Sequence, residues 1–336
     1  MESSGVSSSG NGPIVLLGGS GFIGTRLAQV LMDRGLSVRI GDVCRSEAWP
    51  DLWTECNVRD AATLRSIVAG AGTIVNLAAE HRDDVRPISS YYDTNVRGAE
   101  QVCQAARDAR VMKIIFTSSV AVYGFHPQPL DESGPFQPVN PYGETKLAAE
   151  AVYQAWAAED ASRTLVMIRP AVVFGEKNRG NVYNLLRQIA SGRFLMVGSG
   201  NNMKSMAYVG NVAAFLAHTL SLAPGLHIFN YVDGPDMNTS DLVKHVWHCL
   251  GKSGQPRRIP KSVALAGGTA FDIVARITGR RFPISAVRVR KFCESTQFRA
   301  DRIASTGFRP PYSLAEGLAR TLESEFGTRA PSDGQG

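Results

Sequence analysis

Ile14-Val15-Leu16-Leu17-Gly18-Gly19-Ser20-Gly21-Phe22-Ile23-Gly24 decides the fold of this chain. Four consecutive apolar residues read as a buried strand. The glycine turn after them opens an amphipathic stretch, Phe22 to Asp33, that reads as a helix. A strand, a glycine turn and a helix N-terminus in that order form a cradle for pyrophosphate. Backbone without side chains can approach the phosphates, and the unpaired N–H groups of the helix point at them. A second apolar strand, Ser37-Val38-Arg39-Ile40-Gly41, ends at Asp42, the acidic residue expected to accept hydrogen bonds from an adenosine ribose. Asp42 favours NAD. Arg45, three residues on, is either a contact for a 2′-phosphate or a solvated surface group.

From Pro13 to about Gly180 short apolar runs alternate with helical stretches, the pattern of an α/β doubly wound parallel sheet. The spacing predicts further strands at Thr73 to Leu77, Lys113 to Thr117 and Leu165 to Ile168. It predicts helices at Ala61 to Ala69, Val96 to Ala109 and Pro141 to Glu159, the last with Asn140 as cap and Pro141 at its first position. Past Gly180 the rhythm is irregular, with helices near Val182 to Ala190, Val209 to Leu220 and Ser240 to Leu250 and a returning strand near His227 to Tyr231. The expected division is a Ser/Gly-rich leader at 1–12, a dinucleotide-binding domain at 13–180 joined by strand 227–231, a smaller C-terminal substrate-binding domain at 181–327, and a loose tail at 328–336.

Composition is that of an ordinary globular chain. Five scattered cysteines (Cys44, Cys56, Cys103, Cys249, Cys293) have no ligand spacing, so a reducing compartment is expected, with no metal site and no disulfide framework. The net charge of +6 is uneven: between Arg257 and Phe292 stand nine basic residues and one acid, Asp272, interleaved with apolar residues such as Val263, Leu265 and Phe271. Such a stretch suits an anionic membrane surface on which it would lie without crossing, or a helical subdomain with a solvated basic face. No nucleic-acid module is recognisable.

Tyr142 and Lys146, four apart in a predicted helix, share one face and can reach one ligand. A tyrosine near its ordinary pKa of about 10 is a poor base at neutral pH, and a neighbouring ammonium is expected to bring it down. The pair follows Phe116-Thr117-Ser118-Ser119, a strand end of the kind where α/β sheets bind ligands. Glycine turn, Asp42 and the Tyr–Lys pair together point to nicotinamide redox chemistry.

These residues resemble the extended branch of the short-chain dehydrogenase/reductase family, with its Rossmann sheet and its nucleotide-sugar epimerases and dehydratases. The likeness continues through Asn57-Val58-Arg59-Asp60, Leu77-Ala78-Ala79, Asn95-Val96-Arg97-Gly98, Ser119 to Gly124, Arg169-Pro170 and Thr306-Gly307-Phe308. The family usually has aspartate where Asn57 stands. Three strings are more particular: Glu80-His81-Arg82-Asp83-Asp84, Asn178-Arg179-Gly180-Asn181, and Lys204-Ser205-Met206-Ala207-Tyr208. They are similar to the bacterial subgroup that 4-epimerises N-acetylglucosamine on undecaprenyl diphosphate for O-antigen, that is lipopolysaccharide, assembly.

The resemblance implies roles. Tyr142 is the base, Lys146 lowers its pKa and holds the nicotinamide ribose, and Ser119, with Ser118 behind it, holds the reacting oxygen. Gly18, Ser20, Gly21, Phe22, Ile23, Gly24, Asp42, Asn57, Val58, Leu77, Ala78, Ala79 and Asn95 contact NAD. Glu80, His81, Arg82, Asn181 and Lys204 face the sugar diphosphate. Val120 and Ala121 stand where dehydratases carry an acidic pair, which argues against dehydration. A lipid-linked substrate would place the protein on the cytoplasmic face of the inner membrane as a peripheral protein, and the family implies a homodimer. A UDP-N-acetylglucosamine or UDP-glucose 4-epimerase, a 4-ketosugar reductase and a non-catalytic scaffold remain alternatives.

Overall fold

The computed structural model describes residues 12–82, 85–252, 254, 256–278 and 286–327. The expected tail, Asp83, Asp84, Arg280, Arg281 and all of the expected leader except Gly12 lie outside the described residues.

The apolar runs form a parallel sheet of β1 (Ile14–Leu17), β2 (Val38–Asp42), β3 (Trp53–Glu55), β4 (Thr73–Asn76), β5 (Lys113–Thr117), β6 (Thr164–Pro170) and a returning strand, Gly225–Tyr231. Its order is the returning strand, then β6, β5, β4, β1, β2 and β3. The chain runs outward from β1 through β2 to β3 and then crosses to β4 on the other side. The switch point therefore falls between β1 and β4, where Leu17 pairs with both Gly41 and Asn76, and ligands of such sheets bind outside that point. β3 has no counterpart in the sequence reading, because its three edge residues, half-buried Trp53 and exposed Thr54 and Glu55, carry too little apolar signal.

Helices cover both faces of the sheet, which is why the central strands are apolar throughout. On one face α1 (Phe22–Asp33) and the helix Val209–His218 bury Leu27, Leu31, Val212 and Phe215. On the other, α2 (Ala61–Val68), the helix Gly98–Asp108 and the helix Pro141–Ala158 bury Leu64, Val102, Tyr153 and Trp156. A third apolar cluster, with Leu186, Ile189, Val243, Val246, Leu318 and Leu322, joins the helices Asn181–Ala190, Thr239–Cys249 and Leu314–Phe326. The helix expected over Val96 to Ala109 is an α-turn at Ser89–Tyr91, a π-helical stretch at Tyr92–Arg97 and an α-helix from Gly98. A hydrophobic period of 3.6 residues cannot announce a π-turn.

The glycine turn is fixed by close approach. Gly18 has φ +75°, and a Cβ there would lie 2.6 Å from the Ala78 nitrogen. At buried Gly24 a Cβ would lie 2.5 Å from the Gly19 Cα, so α1 sits on the turn with no room for a side chain. Gly24→Ala is expected to destabilise the fold by about 1–3 kcal/mol through overpacking; unfolding in denaturant measures it, and an unchanged midpoint would contradict this packing.

Candidate active site

The loops after β1, β2, β4 and β5 converge at the carboxyl edge of the sheet. After β1, α1 starts at Gly21 with no side-chain cap, leaving its first N–H groups for a ligand. Ser20 donates its N–H to Asp42 Oδ2 at 3.0 Å and accepts from Thr25 Oγ1 at 3.2 Å, while its own Oγ is buried without a partner. Asp42 Oδ1 accepts the Cys44 N–H at 3.0 Å, so backbone donors aim both carboxylate oxygens and leave each with a lone pair to spare. A cradle that a Cβ would fill, an orphaned hydroxyl beside it and an aimed carboxylate fit a dinucleotide. After β3, Asn57 Oδ1 accepts from Arg59 N and Nε, and buried Val58 packs where a Gly98 Cβ would come within 3.0 Å.

After β4, Leu77, Ala78 and Ala79 lead to Glu80, whose backbone is held by the buried Asn95 side chain at 2.8 and 3.0 Å. His81 and Arg82 are exposed, and the Arg82 carbonyl accepts a short hydrogen bond from Tyr91 Oη. After β5, Ser118 is buried with an unpartnered Oγ. Ser119 caps the short turn Val120–Val122 by accepting the Ala121 N–H at 3.1 Å.

Asn140 caps the helix Pro141–Ala158 as expected, accepting the Gly143 N–H at 2.8 Å. Its first turn presents Tyr142, whose hydroxyl hydrogen-bonds Ser119. Burial pushes the Tyr142 phenol up, and the Ser119 bond partly offsets this. Lys146 is 2% exposed, its Nζ 4.3 Å over the Phe116 ring, and desolvation pulls it down to about 7 against the opposing field of Glu150. Desolvation thus acts on Tyr142 and Lys146 alike, towards their neutral forms.

One turn further on the same face, Glu150 takes a bidentate pair from buried Arg169 at 2.8 and 2.6 Å. Arg169 also donates to Tyr123 Oη at 2.7 Å, and Tyr123 donates to Asn230 Oδ1 at 2.8 Å. Asn230 in turn gives its N–H to Glu132 at 2.9 Å. The sequence reading missed Glu150 and Thr145 as parts of the site, although the i, i+4, i+8 spacing of Tyr142, Lys146 and Glu150 carried a signal.

In the C-terminal part, Asn181 is the exposed first residue of its helix, just after Arg179, which lies over Tyr183 and pairs with Glu325. Lys204, in the strand Met203–Lys204, donates to the Glu294 carbonyl, and desolvation lowers its pKa. It is thus a partly desolvated ammonium tied to backbone rather than a solvated surface group.

A dinucleotide cradle at the switch point with serine, tyrosine and lysine beside it defines an enzyme that moves a hydride and a hydroxyl proton together. The chain belongs to the NAD dependent epimerase/dehydratase family, whose sequence model matches residues 14–230. It is 47% identical over 318 residues, 94% of this chain and 96% of the relative, to the N-acetyl-α-D-glucosaminyl-diphospho-ditrans,octacis-undecaprenol 4-epimerase of Escherichia coli O157:H7. It is 26% identical to a UDP-glucose 4-epimerase of Vibrio cholerae over 93% of this chain and 94% of that one. The solved UDP-glucose 4-epimerase of Thermus thermophilus in complex with NAD matches with a TM-score of 0.72 at 20% identity, over 93% of this chain and 98% of that one, a likeness of fold.

Lys146 titrates near 7 in the folded protein and near 10.4 unfolded, so between those values the unfolded chain binds the extra proton and stability rises with pH. From about pH 7 to 10, wild-type unfolding free energy is expected to gain up to about 1.4 kcal/mol per pH unit relative to Lys146→Met. Parallel profiles from denaturant titrations would contradict the desolvated lysine.

Proposed function

We propose that this protein is an NAD-dependent 4-epimerase that interconverts N-acetylglucosamine and N-acetylgalactosamine on undecaprenyl diphosphate, serving O-antigen assembly. The observation that carries this reading is the 47% identity, over nearly the whole of both chains, to a protein of that activity, with Ser119, Tyr142 and Lys146 all present.

NAD, when bound, supplies the hydride acceptor and a positive ring charge. Gly18 to Gly24 hold its diphosphate and Asp42 its adenosine ribose; Asn57, Val58 and Leu77 to Ala79 flank it. Tyr142 takes the proton of the sugar 4-hydroxyl as C4 gives up hydride, with Ser119 hydrogen-bonding the same oxygen and Ser118 behind it. After the 4-keto sugar turns its other face to the site, Tyr142 would give the proton back to the same oxygen, and the full cycle would consume no reduced cofactor. Burial raises the Tyr142 phenol, and positive charge near it, such as Lys146 when protonated, would favour its ionised form. Lys146 also binds the nicotinamide ribose. Val120 and Ala121 offer no acid or base for elimination of water. Glu80, His81 and Arg82 border the sugar, while Asn181 and Lys204 meet the diphosphate, Lys204 as a point charge.

A lipid-borne substrate calls for a protein that rests on the cytoplasmic face of the inner membrane. Supporting this is one basic and apolar surface: Arg257 and Arg258 are exposed on the strand Arg257–Ile259, whose register sets Arg257 beside Leu195, itself 47% exposed. The adjoining helix, Lys261–Thr278, exposes Val263 at 58% and Phe271 at 40%. Among the described residues no helix is long and apolar enough to cross a membrane. The division into a dinucleotide-binding domain at 13–180 with strand 227–231 and a substrate-binding domain at 181–327 belongs to the same reading. So does a homodimer, supported by exposed Phe136 and Val139 next to the catalytic helix.

Purified protein incubated separately with undecaprenyl-diphospho-N-acetylglucosamine and with UDP-N-acetylglucosamine is expected to form the galacto epimer from the lipid-linked sugar. Tyr142→Phe should lose at least ~100-fold in turnover with NAD affinity nearly unchanged. Product from the nucleotide sugar alone would reassign the substrate, and net NADH consumption would make the enzyme a reductase. In vesicle sedimentation, anionic vesicles are expected to carry down wild-type protein at low salt and to lose Arg257→Glu/Arg258→Glu; equal sedimentation of both would remove the membrane surface.

A further inference from the structure

The strand Val172–Phe174, paired in parallel with Met206–Tyr208, ends in Gly175 and Glu176, and five residues later the chain enters the helix that begins at Asn181. Both end residues lie against α1, the helix whose N-terminus closes the phosphate cradle. A Cβ on Gly175 would come within 3.2 Å of Phe22 Cζ and 2.4 Å of Val209 Cγ1, and φ there is +153°, so glycine lets the strand end press on the first turn of α1. One turn further along the same face of α1, Arg26 donates to Glu176 Oε2 at 3.0 Å. The other oxygen, Oε1, accepts from Tyr208 Oη at 2.7 Å. One carboxylate thus joins the cofactor helix to the strand Met206–Tyr208. The Tyr208 hydroxyl in turn accepts from Arg320 of the helix Leu314–Phe326, which packs so closely that a Cβ on Gly317 would lie 2.6 Å from Tyr208 Cγ. That helix also holds the segment after Glu176: Glu325 accepts the Lys177 N–H at 2.6 Å and pairs with Arg179.

We propose that Arg26 and Glu176 are positioning residues, an ionic link that fixes the segment leading to Asn181, and with it the substrate diphosphate, to the helix that holds the cofactor diphosphate. The inference rests on the epimerase reading, in which Asn181 meets the sugar diphosphate. Hydride leaves one face of C4 and returns to the other while the sugar turns, so the diphosphate is the part of the substrate that can stay in place through both transfers. Its distance from the cofactor is then set by whatever joins the two diphosphate sites, and displacements of about 1 Å between reacting groups cost up to ~100-fold in rate. Phe22 against Gly175 and Arg26 against Glu176 are that join, one apolar and one charged, four residues apart on α1. The Arg26 side chain is 39% exposed and that of Glu176 16%. A pair so placed adds little to stability, and Arg26 released from it can be solvated, so its loss is expected to show in alignment rather than in folding.

The test compares Glu176→Gln, which keeps an acceptor for Tyr208 and loses the charge, with Arg26→Met, which keeps the stem and loses the charge, and Arg26→Lys, which keeps the charge. Glu176→Gln and Arg26→Met are expected to lower kcat on the lipid-linked sugar at least ~10-fold, with KM and the NAD dissociation constant within about two-fold, because no contact to either ligand is removed. Arg26→Lys is expected to recover most of the rate, and the double variant Arg26→Met/Glu176→Gln to be no slower than either single one. Exchange of the Lys177 amide, measured without substrate or cofactor, is expected to quicken at least ~10-fold in Glu176→Gln and Arg26→Met. Additive losses in the double variant, equal losses in Arg26→Lys and Arg26→Met, weakened NAD binding at preserved kcat, or unchanged Lys177 exchange would each overturn the link. Wild-type protein that epimerises neither sugar would remove the proposed reaction; quickened Lys177 exchange in the variants would then still support the link to α1, and unchanged exchange would overturn it.

Discussion

A lysine ammonium taken almost wholly out of water is the constraint on which the site depends. Lys146 is held in the core face of the catalytic helix, over the Phe116 ring, with Glu150 as the carboxylate that favours its charged form. Such a carboxylate is itself costly to bury unless it is paired. Arg169 supplies the pairing in fork geometry, and Tyr123, Asn230 and Glu132 satisfy what the guanidinium and its partners still need. The polar network beneath the active site is thus a consequence of placing Lys146 there. Removing Arg169 or Glu150 would leave the other as an unpaired buried charge, which is the expensive direction of change for such a network.

The same desolvation sets the chemistry. Burial raises the Tyr142 phenol and lowers the Lys146 ammonium to about 7, so both groups respond to any charge brought alongside. The rigid part of the arrangement is backbone: Gly18 against Ala78, Gly24 against Gly19, and the first turn of the catalytic helix against Thr145.

Much of this was legible in the chain. The glycine turn, its flanking strand and helix, Asp42 at the end of β2, and Asn140 as the cap of the Tyr142 helix follow from local rules, because turns, caps and amphipathic periods are properties of consecutive residues. β3 was not legible, since its three residues pair at an edge with little apolar content. The π-turn at Tyr92–Arg97 was not legible either, because its hydrogen bonds shift by one residue and no residue type in it is specific to such a turn. Lys204 is partly desolvated and bonded to the carbonyl of Glu294, a partner some ninety positions away that local reading cannot supply.

The sequence by itself determined the class of fold, the glycine turn and the four-residue spacing of Tyr142 and Lys146, since each depends on spacing within a few turns of helix or one strand and its loop. Only the tertiary structure decided how those pieces are aligned. It joined Asn95 to Thr145 across fifty residues and Arg169 to Glu150 across nineteen, and it set Arg257 beside Leu195 on one surface. The reason is physical: desolvation, ion pairing and close backbone approach act between groups that are neighbours in space, and their separation along the chain carries no trace of it.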